Sequence, residues 1–271
     1  MEIGVITWNL FHGRDFPPDP ALYTWRSRLA RMSERNATHI QVNRELIREF
    51  AQTLCGARWD VALLQECPPR WSAPLVAACG ASAQRSLTSR NSLGSVRSVL
   101  GRWNPDLLGS WEGGSNLTLL RGVAADGPLD LRELELRRRP ERRAMAFARL
   151  PSGLCVANLH ASTSPPLAAE EVRNATETAV SWAGEAPLIL GGDFNLRPSQ
   201  TALFEELAQR FGLGTPTGPD SIDHILGRGV ETVELPAAWP PEAREVACQG
   251  LRLRLSDHAP VAARLAMKGS V

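Results

Sequence analysis

The sequence predicts an α/β (α+β) chain: one domain in which two mixed β-sheets pack face to face with helices outside. Two observations predict it. Apolar runs of strand length recur from end to end, at 2–9, 60–66, 95–101, 116–122, 145–150, 153–160, 187–193, 221–228 and 259–265. Helix-period stretches separate only some of them: the early strands alternate with helices, whereas 95–160 reads as successive strands with turn signals between.

In order, "EIGVITWN" opens the chain as a strand, and a helix is expected over 39–55, where Ile40, Val42, Leu46, Ile47, Phe50 and Leu54 recur at helical spacing. "DVALLQE" is the next strand. "SVRSVLG", "NLTLLRG", "MAFARL" and "GLCVANLH" follow, punctuated by Asp126–Gly127 and by Pro151, Ser152 and Gly153. A helix over 166–183 leads to the strand "PLILGGD". A second helix over 199–211 carries Leu203, Phe204 and Leu207, with Ser199 at the N-cap position after Pro198. "SIDHILGR" and "APVAARL" complete the strands. With no repeat, low-complexity tract or linker, the whole of 1–271 reads as one domain, and "PPDP" (17–20) and "WPPE" (239–242) read as loops.

Hydrophobic content of 43% with 22% charged residues is that of a water-soluble globular chain, and no window has the apolar length of a membrane span. The start carries Glu2 and no basic leader, so a cytoplasmic location and no membrane insertion are expected. Five cysteines without a C-x-x-C pair argue against a disulfide framework or a thiolate zinc site. A net charge of +1 excludes a strong global field for nucleic acid, though not local patches. Lys268 is the sole lysine, an arginine bias read as composition rather than phosphate selection.

The polar residues at strand ends carry the functional argument. "ITWN" ends on Asn9, "ALLQE" on Glu66, "VANLH" on His160 and "LILGGDFN" on Asp193 and Asn195. "SIDHI" contains Asp223 and His224, and "LSDHAPV" opens with Asp257 and His258. Isolated and buried, each such group would cost several kcal/mol; gathered at one edge, they could share a cation. Carboxylates and carboxamides are hard oxygen donors suited to Mg²⁺ or Mn²⁺, and a histidine backed by a carboxylate is a proton donor or cation for a phosphate. The set fits hydrolysis of a phosphate ester.

In order and at plausible separations, "TWN", "LLQE", "NLH", "GGDFN", "IDHI" and "SDHAPV" resemble the endonuclease/exonuclease/phosphatase superfamily over nearly the whole chain. The resemblance implies a four-layer α/β/β/α sandwich and a Mg²⁺- or Mn²⁺-dependent phosphoesterase, with a phosphodiesterase or nuclease as the leading activity and DNA or RNA among the substrates. By the same resemblance Glu66 is the principal metal ligand, Asn9 a ligand or orienting amide, and Asp257 lies near the metal. Asp193 activates water, helped by Asn195. His160 donates to a non-bridging oxygen, and His258 contacts the scissile phosphate with Asp223 behind it.

Arg143, at the end of the run "RRRPERR", is expected at the substrate phosphate, and Asn116 on the substrate side. His224 reads as packing, His12 and His39 as ordinary loop or helix residues, and Glu170 and Glu171 as a solvated helix face. The connection over about 13–38 is long, and its Tyr23, Trp25 and arginines form either a specificity loop or a short helix capping the core. Two alternatives stay open: a phosphoesterase of a small molecule or lipid head group, and an inactive binding module. A monomer is expected.

Overall fold

A computed structural model of the chain describes residues 1–89, 94–123, 127–214 and 216–267. One six-stranded sheet runs in the order β12 (Val230–Ala238), β15 (Val261–Met267), β1 (Glu2–Asn9), β4 (Val61–Cys67), β6 (Gly114–Leu120), β5 (Ser82–Thr88). The other, five-stranded, runs β11 (Asp223–Arg228), β10 (Leu188–Asp193), β9 (Cys155–His160), β8 (Arg143–Arg149), β7 (Asp130–Arg137). Each sheet has one parallel pair at its centre, β1 with β4 and β9 with β10, among antiparallel neighbours. Two short ribbons, β2 (Glu34–Arg35) with β3 (Ile40–Gln41) and β13 (Glu245–Cys248) with β14 (Leu251–Arg254), decorate this frame.

Strand alternation sorts the apolar residues into three layers. Alternate positions on each strand, Ile3, Val5, Val61, Leu63, Val156 and Ile189, meet between the sheets. Even positions Ile6, Trp8, Ala62 and Leu64 face α2 (Ile47–Gly56) and α3 (Ser72–Cys79), burying Phe50, Leu54 and Leu75. Cys155, Ala157, Leu188 and Leu190 face α6 (Pro165–Ala183) and α7 (Leu203–Phe211) through Val172, Ala175 and Leu207. Helix, sheet, sheet, helix is the expected four-layer order. No helix is long and apolar enough to cross a membrane among the described residues.

Several local expectations give way. The stretch 95–101 is not a strand but part of α4 (Gly94–Trp103), because Val96, Val99, Leu100 and Trp103 follow a helical period. The expected helix over 39–55 begins only at Ile47. Its first half is extended because Ile40 and Gln41 pair with β2, and Val42 donates its N–H to Asp15. Ser199 does not cap α7; it sits in a separate 3₁₀ turn, and the helix starts at Leu203, whose N–H is taken by Thr201. The Asp126–Gly127 turn lies partly outside the described residues, at Asp126. The connection 13–38 contains a short helix, α1 (Trp25–Ala30), capped by the Thr24 hydroxyl accepting from Ser27 N–H, whose Trp25 and Leu29 are exposed rather than packed on the core.

Gly191 and Gly192 let β10 pack. A Cβ on Gly191 would lie 2.7 Å from Leu63 Cδ1 of the facing sheet; one on Gly192, at φ +141°, would lie 1.9 Å from the Leu159 carbonyl oxygen. Gly192→Ala is therefore expected to cost about 3 kcal/mol or more, read as a lower thermal midpoint in circular dichroism, since backbone must move. An unchanged midpoint would contradict this packing.

Candidate active site

Parallel pairing sets the C-terminal ends of strands side by side. Asn9 stands opposite Gln65, next to Glu66, and Asp193 is the register partner of His160. Both pairs end at the same edge of the sandwich. Alternation turns Asn9, His160 and Asp193 inward between the sheets, but would turn Glu66 away. A bulge between Leu64 and Cys67 and a left-handed backbone at Glu66 (φ 47°) redirect its carboxylate into the site. Asn195 (φ 52°) and Ser256 (φ 60°) are also left-handed, so strained backbone concentrates here.

Beneath these ends lies a polar layer that joins the sheets. Gln65 donates to Asn158 Oδ1 at 2.8 Å and contacts Thr7, and Asn158 reaches Thr118. These groups are fully buried and mutually bonded, so the site stands on a cross-linked floor.

The hub is Asp193. Its Oδ2 accepts from Asn9 Nδ2 at 2.9 Å and lies 3.5 Å from His160 Nε2 and 3.9 Å from His258 Nε2. Its Oδ1 accepts from Asn195 N–H at 3.0 Å, while Asn195 Nδ2 donates to the Ala161 carbonyl. Asn195 thus braces Asp193 through a local turn after the strand rather than by strand alternation. His258 Nδ1 and Asp223 Oδ2 are 2.7 Å apart, so Asp223 fixes the ring with Nε2 toward Asp193.

Electrostatics divide the two histidines. Burial, reinforced by the Arg143 charge, pushes His160 down to about 3, so its ring is neutral. Burial would lower His258 as well, but Asp223, Asp193 and Asp257 outweigh it and raise the ring to about 10. Burial, then Asp223, raises Asp193 to about 7. Glu66 is held down to about 2: burial opposes ionisation, but His12, His160, His258 and Arg14 outweigh it. Because burial also lowers His12, the charges that keep Glu66 ionised near neutrality are His258 and Arg14.

Arg143 lies on a cleft of about 470 Å³ whose wall includes His12, Glu66, His160, Ser110 and Ser162. Its Nη1 is 3.1 Å from His160 Nδ1, and its Nη2 donates to Glu141 at 2.9 Å. The same Nη1 lies 3.4 Å from Nε2, and it is the Asp193 carboxylate 3.5 Å from Nε2 that favours the hydrogen on that nitrogen. Asn116 does not reach the cleft; it is fully buried and ties the sheets by donating to the Ala144 carbonyl. His224 packs as expected, between Phe194 and Phe204.

His12 and Glu171 differ from expectation. His12 is no ordinary loop residue: its Nε2 lies 3.2 Å from Glu66 Oε2 and its ring lines the cleft. Glu171 is not solvated but 1% exposed, accepting from Ser162 N–H and Oγ and pairing with Arg137. Arg14 was not singled out; its guanidinium stacks 3.6 Å above Phe11, and its carbonyl accepts from Ser256 N–H beside Asp257. Its closeness to Asn9 in one short turn was the available signal. The run 137–143 is not a bare solvated patch: Arg137, Arg138, Arg142 and Arg143 each meet a glutamate.

The donor set fits a hard divalent ion. Glu66 and Asp257 face each other closely enough that, after burial, the Glu66 charge helps raise Asp257, a repulsion a cation relieves. Asn9 Oδ1 already accepts from Phe11 N–H while its amide holds Asp193, the posture of an orienting group. Asp193, Asp223 and His258 also converge, their ligand atoms within 4.8 Å of one another. The short His258–Asp223 hydrogen bond makes that trio a proton-bearing pair beside a carboxylate rather than a cation cage.

An α/β/β/α sandwich with acids, amides and imidazoles collected at the ends of its two central parallel pairs defines a class of hydrolytic scaffold. The chain belongs to the Endonuclease/Exonuclease/phosphatase family, whose model matches residues 6–258. Members of this superfamily are phosphoesterase hydrolases and generally use divalent metal ions. Among solved structures, an endonuclease/exonuclease/phosphatase family protein of Bacteroides thetaiotaomicron is similar over 99% of both chains at 15% identity and a TM-score of 0.64. A mannosyl-6-phosphatase of the same organism is similar over 98% of this chain and 100% of its own, at 14% and 0.64. Truncated Caenorhabditis elegans TDP2 is similar over 98% and 97%, at 15% and 0.56. Curated proteins yield no match. At these identities the solved structures speak for the fold.

Proposed function

We propose that the chain hydrolyses phosphate esters with a divalent metal, Mg²⁺ or Mn²⁺, using Asp193 to activate water. The carrying observation is the Asp193 carboxylate, held by Asn9 and Asn195 and faced by a neutral and a cationic imidazole. Glu66 and Asp257 would hold the ion, which supplies charge neutralisation at the phosphoryl and leaving oxygens, while Asn9 orients Asp193. Raised to about 7, Asp193 is matched to taking a proton from water near neutrality. His160 Nε2–H donates to a non-bridging oxygen, and His258, kept cationic by Asp223, stabilises the charge developing on the same phosphate. Arg143 orients His160 and turns its remaining protons to the cleft.

The ion pairs favour a small phosphate ester over a long nucleic acid. The arginines that would form a basic track are paired with glutamates, and the cleft has the size of a small-ligand site. The mannosyl-6-phosphatase with this fold is consistent with such a substrate. Purified protein is expected to hydrolyse bis-p-nitrophenyl phosphate or p-nitrophenyl phosphate with Mg²⁺ or Mn²⁺, to lose activity in EDTA and to regain it on metal addition. A panel adding DNA, RNA and sugar phosphates separates the substrates: turnover of nucleic acid alone would restore the nuclease reading, and activity indifferent to EDTA would remove the metal.

A further inference from the structure

Large apolar side chains are exposed in a group on one side of the molecule. Trp25 (68% exposed) and Leu29 lie on α1, Val99 and Trp103 on α4, Leu107 on α5 (Pro105–Leu108), and Trp111 in the turn that follows. They form one face because the elements are tied together: Asn104, at the α4–α5 junction, donates to the Arg28 carbonyl at the end of α1 at 2.7 Å and shares a side-chain bond with Asn43. Arg31 then reaches across to lie 5.3 Å from the Trp103 ring, and Arg97 lies 5.5 Å from that of Trp111.

The charge of this face is mainly positive. Arg26 and Arg31 lie against the tryptophan rings of Trp25 and Trp103, whereas Asp106 and Glu112 are buried, Glu34 is taken by the Thr24 hydroxyl, and Glu45 is held by Arg70 and Arg102. The exposed apolar pair on the edge strand β12, Val233 and Leu235, differs, being interleaved with Glu231 and Glu234. An exposed apolar patch of this extent marks an interaction surface.

We propose that this face docks on an anionic phospholipid surface. Tryptophans seat at the boundary between head groups and acyl chains, aliphatic side chains enter it, and arginines meet the lipid phosphates. A second copy of the chain fits worse, since like-charged arginines would oppose one another. A nucleic acid would leave Leu29, Val99 and Leu107 without an apolar partner. Ser110, beside Trp111, lines the cleft with His12 and Glu66, so docking brings the cleft to the membrane surface and, on the phosphoesterase reading, to ester head groups there.

The test is co-sedimentation of the full chain with phosphatidylcholine vesicles, with and without phosphatidylserine. Binding is expected only with phosphatidylserine and should weaken as salt rises. Replacing Trp25, Trp103 and Trp111 together by alanine should cut the bound fraction about tenfold or more, with the melting temperature and the turnover of soluble bis-p-nitrophenyl phosphate unchanged. A charge-reversed variant, Arg26→Glu with Arg31→Glu, should fail likewise. Equal binding to both vesicles, or full binding by the tryptophan variant, overturns the proposal. So does absence of vesicle binding, whether the face then proves to pair two copies or to hold an oligonucleotide. Anionic-vesicle binding by a protein inactive on the soluble ester supports the docking and removes only the phosphoesterase reading.

Discussion

Asp193→Asn is expected to lower kcat/KM for bis-p-nitrophenyl phosphate about a thousandfold while leaving the fold intact. The replacement keeps the shape of a buried side chain at 1% exposure but puts a weak base where the water would be activated. It also disturbs the hub, because the position that accepts from Asn9 Nδ2 and Asn195 N–H then carries an amide with only one acceptor oxygen. Single-turnover kinetics alongside a circular-dichroism melt separate the two effects. A variant within about tenfold of wild type would remove Asp193 from the chemistry.

The second large effect is expected at Asp223. Asp223→Asn takes away the main charge that overcomes burial and raises His258 to about 10, so the ring should titrate nearer or below its ordinary value of about 6.5. The alkaline limb of kcat/KM against pH should move down by several pH units, and activity at pH 8 should fall about a hundredfold. Stability carries the same signature in the metal-free protein. A ring whose folded pKa is raised contributes stability that is fully present below about pH 6.5 and is lost as pH rises through about 10. The gap in melting temperature between wild type and Asp223→Asn should thus be widest near pH 6.5 and close toward pH 10. A gap independent of pH, with an unmoved activity limb, would show that Asp223 does not govern the charge of His258.

Gly192 belongs to the same argument from another side. Strand β10 carries Asp193 at its end, one residue after a point where the strand lies so close to Leu159 that no Cβ fits. Catalytic placement and core packing therefore share one strand end.

By itself the sequence determined the two-sheet architecture, the family, and the collection of Asn9, Glu66, His160, Asp193, Asp223, Asp257 and His258 at strand ends. The architecture follows from apolar runs of strand length, the polar set from residues where such runs stop, and the family from the ordered motifs that resemble it. The tertiary structure alone decided where those groups point and what they meet. Alternation turns Glu66 out of the site, and only a bulge with a left-handed backbone turns it in. His12 and Glu171 look like surface residues until the fold sets His12 against Glu66, and Glu171 against Ser162 and the β7 residue Arg137. Arg143 meets the His160 ring because β8 and β9 lie side by side, and Arg137, Arg142 and Arg143 are paired with glutamates on α6, β7 and the adjoining loop. Helix α4 was hidden for the complementary reason: in the seven-residue window 95–101 the helical period shows only in part, and Trp103 beyond it completes the pattern while α5 and the turn after it pack against the helix. Local periodicity reports which face of an element is apolar; bulges, positive φ angles and long-range ion pairs depend on the neighbours that only folding supplies.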